Sequence, residues 1–312
     1  MTMSLPVNAA PDPSSVWTGI HARVARLLTR PGEAGFVREL SAITDALLRA
    51  MDEDPEAGTF EMIHGEELAG YAVAHSLQTA FVASLAARRL GWSMADRRTV
   101  AQAALTMNIA MLALQNTLVR QTTPPTLKQR TEIATHPARS RALLEAAGIT
   151  DTDLLDTVAQ HHVTPGGHAL PADRHRLNPR ACLVHYADVY LAKLSPRATR
   201  AAIAVNVAAR ELGISAGGPD NPYVEAILQE MGAYPPGTFV KLRNGETAIV
   251  LRRGPTPDAP WVHSLMREDG STLPAALRRD TALPLFKVVA ALPRGLVMVR
   301  LNRQQLLAQA TD

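Results

Sequence analysis

Four histidines and one aspartate in the middle of the chain are candidates for shared chemistry. His75, the pair His161-His162 and Asp188 are on three predicted helices whose apolar spacing indicates buried faces, and His136 precedes another helix. Burying such groups is costly unless they find hydrogen-bond partners or a metal ion. Imidazole and carboxylate suit iron, manganese, zinc or nickel, and helical bundles build metal sites from inward-facing side chains. Taken singly, each histidine is most often a hydrogen-bonded core residue. As a set, they make a shared metal or catalytic pocket an equal alternative.

The elements that would position these residues are mostly helices. Apolar residues recur at helical spacing from Val16 to Met51, with Pro31-Gly32 separating two helices. A further helix is predicted over Tyr71–Leu90, ended by Gly91. Ser93 to Asp96 reads as the cap of the next helix, which is expected to run to about Val119.

The remaining helices of the middle region carry the later candidate residues. Pro137 suits the first turn of a helix that Gly148 stops, and this places His136 just before the helix. The segment Asp151–His162 follows with the paired histidines at its end. Asn178-Pro179 then opens the helix that carries Asp188.

The hydrophobic period changes after Gly237. Thr238–Leu242, the Asn244-Gly245 turn and Thr247–Leu251 predict a β-hairpin. Shorter strands are expected over 261–266, 285–290 and 296–301, and a helical tail over 304–308. The sequence therefore predicts a mainly α fold in three parts: residues 1–65, a leader and N-terminal helices; 66–232, a helical domain; and 233–312, a small β-rich extension.

Composition excludes several classes of protein. Of the 312 residues, 46% are hydrophobic, 20% are charged and 4% are aromatic, and the formal net charge is +3. With no dense basic run and few aromatics for base stacking, nucleic-acid binding is not expected. No apolar run is long enough for a membrane span. The single cysteine, Cys182, fits a reducing interior, so the expected location is the cytoplasm.

Four motifs follow one another in a fixed order: Tyr71-Ala-Val-Ala-His75-Ser76, Thr135-His136-Pro137, His161-His162 and Ala187-Asp188-Val189-Tyr190. They resemble the motifs of HD-GYP domains, which are cyclic-di-GMP phosphodiesterases of the HD superfamily. The similarity spans roughly residues 60 to 265, and the segment Tyr234-Pro235-Pro236-Gly237-Thr238 resembles the β-extension that follows many such domains. The resemblance implies an HD-superfamily helical bundle with N-terminal helices and a C-terminal β-rich extension.

Two departures from the family pattern concern the catalytic centre. The family's His-Asp doublet falls at Met107 and Asn108, and Met111 stands where a lysine usually follows. After the paired histidines, the segment Val163–Pro171 keeps Gly167 and Pro171 but lacks the family's acidic residues and tyrosine. In the family, the doublet aspartate bridges two metal ions. A neutral amide and a soft thioether are poor replacements for hard divalent ions.

The resemblance divides the remaining residues into two metal positions and a phosphate contact. It assigns His136, His161 and His162 to one metal position, and His75 and Asp188 to the other. Three histidines are sufficient for one ion, so the expected cofactor is one divalent metal (Fe, Mn, Zn or Ni) or none. Arg197 and Arg200 stand where substrate-binding arginines are expected, although ordinary surface arginines are an equal alternative.

Three functions stay open on the sequence alone. The favoured hypothesis is a catalytically impaired HD-GYP-like signalling module that responds to a cyclic dinucleotide, another phosphoester or a protein partner. The second is an active metal-dependent phosphohydrolase with a reduced metal site. The third is a metal-free structural regulatory domain. The N-terminal helices are a candidate homodimer interface or sensing element, and the β-extension is a candidate docking surface for a signalling protein.

Overall fold

The computed structural model describes residues 13–64, 70–163, 178–198, 203, 205–215 and 221–309. Eleven helices precede a small antiparallel sheet in this part of the chain, and a short helix follows it. The helices are α1 (Pro13–Thr29), α2 (Phe36–Glu53), α3 (Pro55–His64), α4 (Tyr71–Arg89), α5 (Met94–Thr106), α6 (Leu112–Leu118), α7 (Leu127–Ala146), α8 (Thr152–Gln160), α9 (Pro179–Leu194), α10 (Val205–Ser215), α11 (Pro222–Met231) and α12 (Arg303–Gln309). The mainly α architecture with a β-rich C-terminal extension is confirmed.

Helix α4 is the centre of the helical part. It is buried on nearly all sides, from Tyr71 to Ala87, and packs against α5, α9 and α11. Small residues such as Ala72, Ala80 and Ala83 let neighbouring helices approach closely, while Phe81 and Leu85 fill the space between them. Its position places His75, one turn from the N-terminus of α4, inside the core.

The first turn of α4 is capped from elsewhere in the chain. Gly70 precedes the helix at φ 92°, a conformation that glycine adopts without strain. The amide oxygen of Asn116, on α6, accepts a hydrogen bond from the backbone N–H of Ala72 at 2.9 Å. A Cβ on Gly70 would lie 3.3 Å from the Asn116 amide oxygen, so this close approach also favours glycine.

The apolar faces of the two N-terminal helices are buried within the chain. Trp17, Val24 and Leu28 of α1 join the same core as Leu40 and Leu47 of α2. Trp17 also meets Phe81 of α4 edge to face, with ring centroids 5.4 Å apart. These apolar faces therefore stabilise the helical core, and a homodimer through these helices stays a prediction.

The expected helix from Ser93 to about Val119 is interrupted. Ser93 caps α5 as predicted, with its side chain accepting from the backbone N–H of Asp96. The helix ends at Thr106, and Asn108, at φ −102° and ψ 11°, leads into a 3₁₀ turn over Ile109–Met111 before α6. Asparagine competes with helical hydrogen bonding. The continuous-helix prediction was wrong, and the Met107-Asn108 pair lies at a helix end.

The prediction that Pro137 begins a helix was also wrong. Helix α7 begins ten residues earlier, at Leu127, with a capping box between Thr126 and Gln129. Pro137 is therefore a proline inside a 20-residue helix, where it removes one backbone donor. His136 consequently lies within α7, on its buried side.

The C-terminal extension is a five-stranded antiparallel sheet with the order β4-β3-β2-β1-β5. Its strands are β1 (Phe239–Leu242), β2 (Thr247–Arg252), β3 (Trp261–Met266), β4 (Thr272–Asp280) and β5 (Val288–Leu292). The predicted hairpin is present: Phe239 pairs with Ile249 and Val240 with Ala248, and Gly245 adopts φ 82° in the turn. The expected strand over 296–301 is absent, although all of these residues are described.

One face of the sheet packs on the helical part through α3. Phe60 of α3 and Leu306 of α12 share a core with Phe239 and Ile249. The backbone N–H of Arg253 donates to the carboxylate of Glu56 at 2.7 Å, adding a polar link across the same junction. Among the described helices, none has the length and apolar character needed to cross a bilayer.

Candidate metal site

Three of the sequence-predicted histidines meet at one point between α7 and the end of α8. The candidate ligand atoms of His136, His161 and His162 all lie within 4.8 Å of one another. His136 and His161 are fully buried, whereas His162 is exposed. The rings of His161 and His162 are 4.1 Å apart between centroids, and those of His136 and His161 are 5.1 Å apart. The cluster therefore has a buried side and an open side.

Backbone carbonyls fix the orientation of the two buried rings. His136 donates through Nδ1 to the carbonyl of Ile133 at 2.5 Å, and His161 donates through Nδ1 to the carbonyl of Val158 at 2.7 Å. A carbonyl oxygen only accepts, so both Nδ1 atoms must carry hydrogen. In each neutral ring the lone pair is then on Nε2.

The two Nε2 atoms face each other at 3.1 Å. With both Nδ1 atoms protonated, neutral rings would bring two lone pairs together without a hydrogen between them. A cation held by both nitrogens removes this repulsion, and two nitrogen ligands at ~2.1 Å from one tetrahedral ion are roughly 3.4 Å apart. The donor set and its spacing therefore fit a metal ion held by His136, His161 and His162.

Protonation is the other way to relieve the contact, and burial opposes it. Burial lowers the pKa of His136. Burial, together with the neighbouring imidazoles of His162 and His136, lowers the pKa of His161 to about 3. The pKa of His162 is lowered to about 4, mainly because partial burial removes water from its ring. At neutral pH the three rings are neutral, which is the form that binds metal.

His75 and Asp188 form a second polar group. His75 donates through Nε2 to Oδ1 of Asp188 at 2.6 Å, joining α4 to α9, and its buried Nδ1 has no hydrogen-bond partner in the part of the chain that the structure describes. Tyr71 stacks on the His75 ring with centroids 5.4 Å apart. Burial alone would raise the pKa of Asp188, but the hydrogen bond and charge of His75 lower it well below its usual range. Asp188, whose side chain is 16% exposed, is therefore a largely buried carboxylate anion.

The charge of Asp188 acts on the three-histidine cluster. Its negative charge raises the pKa of His136, His161 and His162, opposing the larger effect of burial. The structure thus brings together the five ionisable residues singled out in the sequence. They form two separate sets, the three-histidine cluster and the His75–Asp188 pair.

Sequence reasoning missed His185. Its Nδ1 donates to the backbone carbonyl of His161 at 2.9 Å, and its ring lies 5.9 Å from that of His162. Burial lowers the pKa of His185. The available signal was its spacing from Asp188, since residues three apart share a helix face. His185 holds the end of α8, where His161 and His162 are located.

The two residues at the position of the family doublet are both buried. Met107 is fully buried in the helical core, and Asn108 is 2% exposed. The amide oxygen of Asn108 has no hydrogen-bond partner among the described residues. Neither side chain supplies a carboxylate, which is the ligand that would hold two cations together.

The predicted phosphate contacts are only partly described. Arg197 is exposed just after α9 and lies close enough to Tyr71 for a hydrogen bond. Burial raises the pKa of Tyr71, and the charge and hydrogen bond of Arg197 oppose that rise. The backbone N–H of Ala198 donates to the carbonyl of Val119, which anchors this segment near the end of α6. Arg200, Gly167 and Pro171 lie outside the described residues.

The helical bundle with its C-terminal antiparallel sheet is similar in fold to a solved HD-GYP protein. The solved structure of Bd1817, an HDG"Y"P protein from Bdellovibrio bacteriovorus, matches this fold with a TM-score of 0.58. The match covers 72% of this chain and 74% of that chain, at 14% sequence identity, so the similarity concerns the fold. No model of a protein family matches the chain, and no curated protein matches it.

Proposed function

We propose that the protein is a catalytically impaired HD-GYP-like signalling module that holds one divalent metal ion and binds a cyclic dinucleotide or a related phosphoester. One observation carries the metal part: the Nε2 atoms of His136 and His161 face each other at 3.1 Å while both Nδ1 atoms donate to carbonyls. His162, exposed beside them, completes the set. Zinc, nickel, iron and manganese are the candidate ions, and three neutral imidazoles favour zinc and nickel among them.

The impairment of catalysis follows from the lack of a bridging carboxylate. The Asp188 carboxylate bonds to His75, and the doublet position offers only Met107 and Asn108. A dinuclear site needs an anionic bridge to hold two cations close together. When bound, a single ion would supply positive charge and Lewis acidity at the mouth of the pocket. The chain's own residues would hold that ion and a phosphate, but they lack the bridge of a two-metal centre.

Arg197 supports the phosphoester part of the proposal. Its guanidinium is exposed next to Tyr71, which itself stacks on His75. A guanidinium offers paired donors and a permanent charge to phosphate oxygens. A bound phosphoester would thus find a fixed cation in the exposed guanidinium of Arg197. The single buried cysteine, Cys182, fits action in the reducing cytoplasm.

A second candidate function, slow hydrolysis by one metal ion, is favoured by the exposure of His162. An ion on the open side of the cluster would be accessible to a phosphoester and to water. A metal-free regulatory domain is less well supported. It would leave two buried lone pairs in contact, with no hydrogen bond to offset the cost.

Metal content tests the proposal first. Protein purified without chelator or metal-binding tag is analysed by mass spectrometry of the elements, before and after anaerobic loading with iron, manganese, nickel or zinc. We expect one ion per chain, lost in His161→Gln and retained in His263→Gln, a control at a buried histidine of β3. Two ions per chain, or none after loading, would contradict the one-metal site.

Ligand binding and turnover are then measured on the metal-loaded protein. Calorimetric titration with cyclic-di-GMP is expected to show binding, and product analysis is expected to show little or no linear dinucleotide. Turnover that is abolished in His161→Gln would instead establish the second candidate function. Absence of binding to cyclic-di-GMP and to linear phosphodiesters would overturn the phosphoester part and leave a protein partner.

A further inference from the structure

The carbonyl of Ile133 has lost its usual helical donor. In an α-helix the carbonyl of residue 133 accepts from the backbone N–H of residue 137. Residue 137 is a proline inside α7 and has no N–H, and its ring also crowds the carbonyl four residues earlier. The Nδ1 hydrogen of His136 takes this free carbonyl at 2.5 Å.

We propose that Pro137 is a positioning residue: by freeing the Ile133 carbonyl, it fixes the Nδ1–H tautomer of His136 and directs the Nε2 lone pair at His161. The tautomer part stands on the geometry alone. The consequence for metal affinity rests on the function proposed above. Partners that fix a ligand's tautomer and ring orientation commonly change metal affinity by about 10- to 100-fold.

His161, the second buried histidine of the cluster, makes the equivalent hydrogen bond without a proline after it. Its Nδ1 donates to the carbonyl three residues earlier, that of Val158. There the carbonyl is available because α8 ends at Gln160, and the last carbonyls of a helix lack helical donors. His136 is followed by ten more residues of α7, through Ala146. Inside a continuing helix, proline is the residue that frees a carbonyl without ending the helix.

A role of Pro137 in helix packing alone differs from the proposal in the tautomer of His136, not in stability. Proline in a helix interior is unfavourable, so Pro137→Ala should raise the midpoint of thermal unfolding. A role in packing alone would leave the histidine tautomer unchanged. The proposal instead predicts a variant that is more stable in its metal-free form but binds metal less tightly.

The experiment compares Pro137→Ala with Pro222→Ala in the full chain. Pro222 is at the first turn of α11, where a missing N–H frees no helical carbonyl, so it is the matched control. Long-range ¹⁵N–¹H spectra of metal-free protein labelled on histidine report each tautomer, and loss of a signal in His136→Gln assigns His136. Pro137→Gly, which also restores the N–H, repeats the test if the alanine variant does not fold.

We expect His136 to be the Nδ1–H tautomer in wild type and in Pro222→Ala, and a mixture of tautomers in Pro137→Ala. Calorimetric titration with Zn²⁺ should show an affinity at least about 10-fold lower for Pro137→Ala than for either. An unchanged His136 tautomer in Pro137→Ala overturns the proposal, whether or not zinc binds. A shifted tautomer in a protein whose wild type binds no metal upholds the positioning role and refutes the one-metal function.

Discussion

His75 and Asp188 lie 113 positions apart in the chain, yet the Nε2–H of one donates to Oδ1 of the other at 2.6 Å. The bond joins α4, at the centre of the core, to α9. It keeps a carboxylate charged where burial alone would favour the neutral acid. The pair therefore connects the stability of the core to the electrostatics of the site.

Replacing Asp188 should reveal that connection. Asp188→Asn keeps the size but removes the charge of a largely buried hydrogen-bonded acceptor, so we expect a loss of about 1.5–3 kcal/mol in the free energy of unfolding of the metal-free protein. Urea denaturation at pH 7 measures it. The pKa of Asp188 is lowered in the folded state, so this contribution is present above the unfolded pKa of about 3.9 and disappears as pH falls below it.

Asp156→Asn is the matched control for that measurement. Asp156 pairs with Arg141 at 2.5 Å, but its side chain is 46% exposed. Loss of such a pair is expected to cost less than about 1 kcal/mol. Equal effects of the two variants would mean that the His75–Asp188 bond has no special weight in stability.

Restoring the doublet should add a second metal ion. The double variant Met107→His with Asn108→Asp introduces an imidazole and a carboxylate at positions that are now a thioether and a neutral amide. We expect metal content to rise from one to two ions per chain, with a less stable metal-free protein because a buried charge is added. Elemental analysis and thermal unfolding measure the two effects. The single variant Met107→His, which adds no carboxylate, should stay at one ion.

Arg197 should contribute to phosphoester affinity without affecting metal binding. Loss of a charged hydrogen bond to phosphate corresponds to a weakening of roughly 10- to 100-fold, so Arg197→Gln should raise the Kd for cyclic-di-GMP by that factor. Metal content should be unchanged. Arg49→Gln, at an exposed position of α2, is the control. Equal affinity of Arg197→Gln and wild type would make Arg197 an ordinary surface residue.

His64 should make the junction between α3 and the sheet sensitive to acid. It stacks on Phe60 and meets Phe239 edge to face, and burial followed by the charge of Arg294 lowers the pKa of His64 to about 3. Between pH 6.5 and 3 the unfolded chain takes up a proton at His64 that the folded chain does not. This effect should therefore remove about 2 kcal/mol of stability between pH 7 and pH 5.

The His64→Leu variant should lose that pH dependence. Urea denaturation at several pH values, in the presence of chelator, would show a flatter profile for the variant than for wild type. Phe60→Leu alters the same aromatic stack without removing a titrating group, so its profile should parallel that of wild type. A wild-type slope in His64→Leu would show that the acid sensitivity arises elsewhere.

Local signals predicted much of the fold. Ser93 and Asn178 cap α5 and α9 as expected, since a side-chain oxygen satisfies the first backbone donors of a helix. The Asn244-Gly245 turn set the hairpin register for the same kind of local reason. The start of α7 was predicted wrongly because the sequence carries two competing signals for a helix start. Thr126 and Gln129 have the spacing of a capping box, but Pro137 was the stronger cue for a helix start.

The site was predictable in its members but not in its geometry. Spacing and family resemblance singled out the three clustered histidines and the His75–Asp188 pair. That the Nε2 atoms of His136 and His161 approach to 3.1 Å depends on how α7 and α8 pack, and no local pattern encodes this. His185 was missed because its contact is to the backbone of His161, and a backbone acceptor leaves no mark in residue types.

The cap that Asn116 provides for α4 has a consequence for the order of folding. Helices usually begin at a cap supplied by their own sequence, whereas the first turn of α4 has its side-chain acceptor 44 residues downstream. A loop of that length closes slowly compared with the growth of a helix. The turn that carries His75 is therefore expected to fray early in folding and to become rigid only after α6 has docked. The metal pocket would then be among the last parts of the helical core to mature.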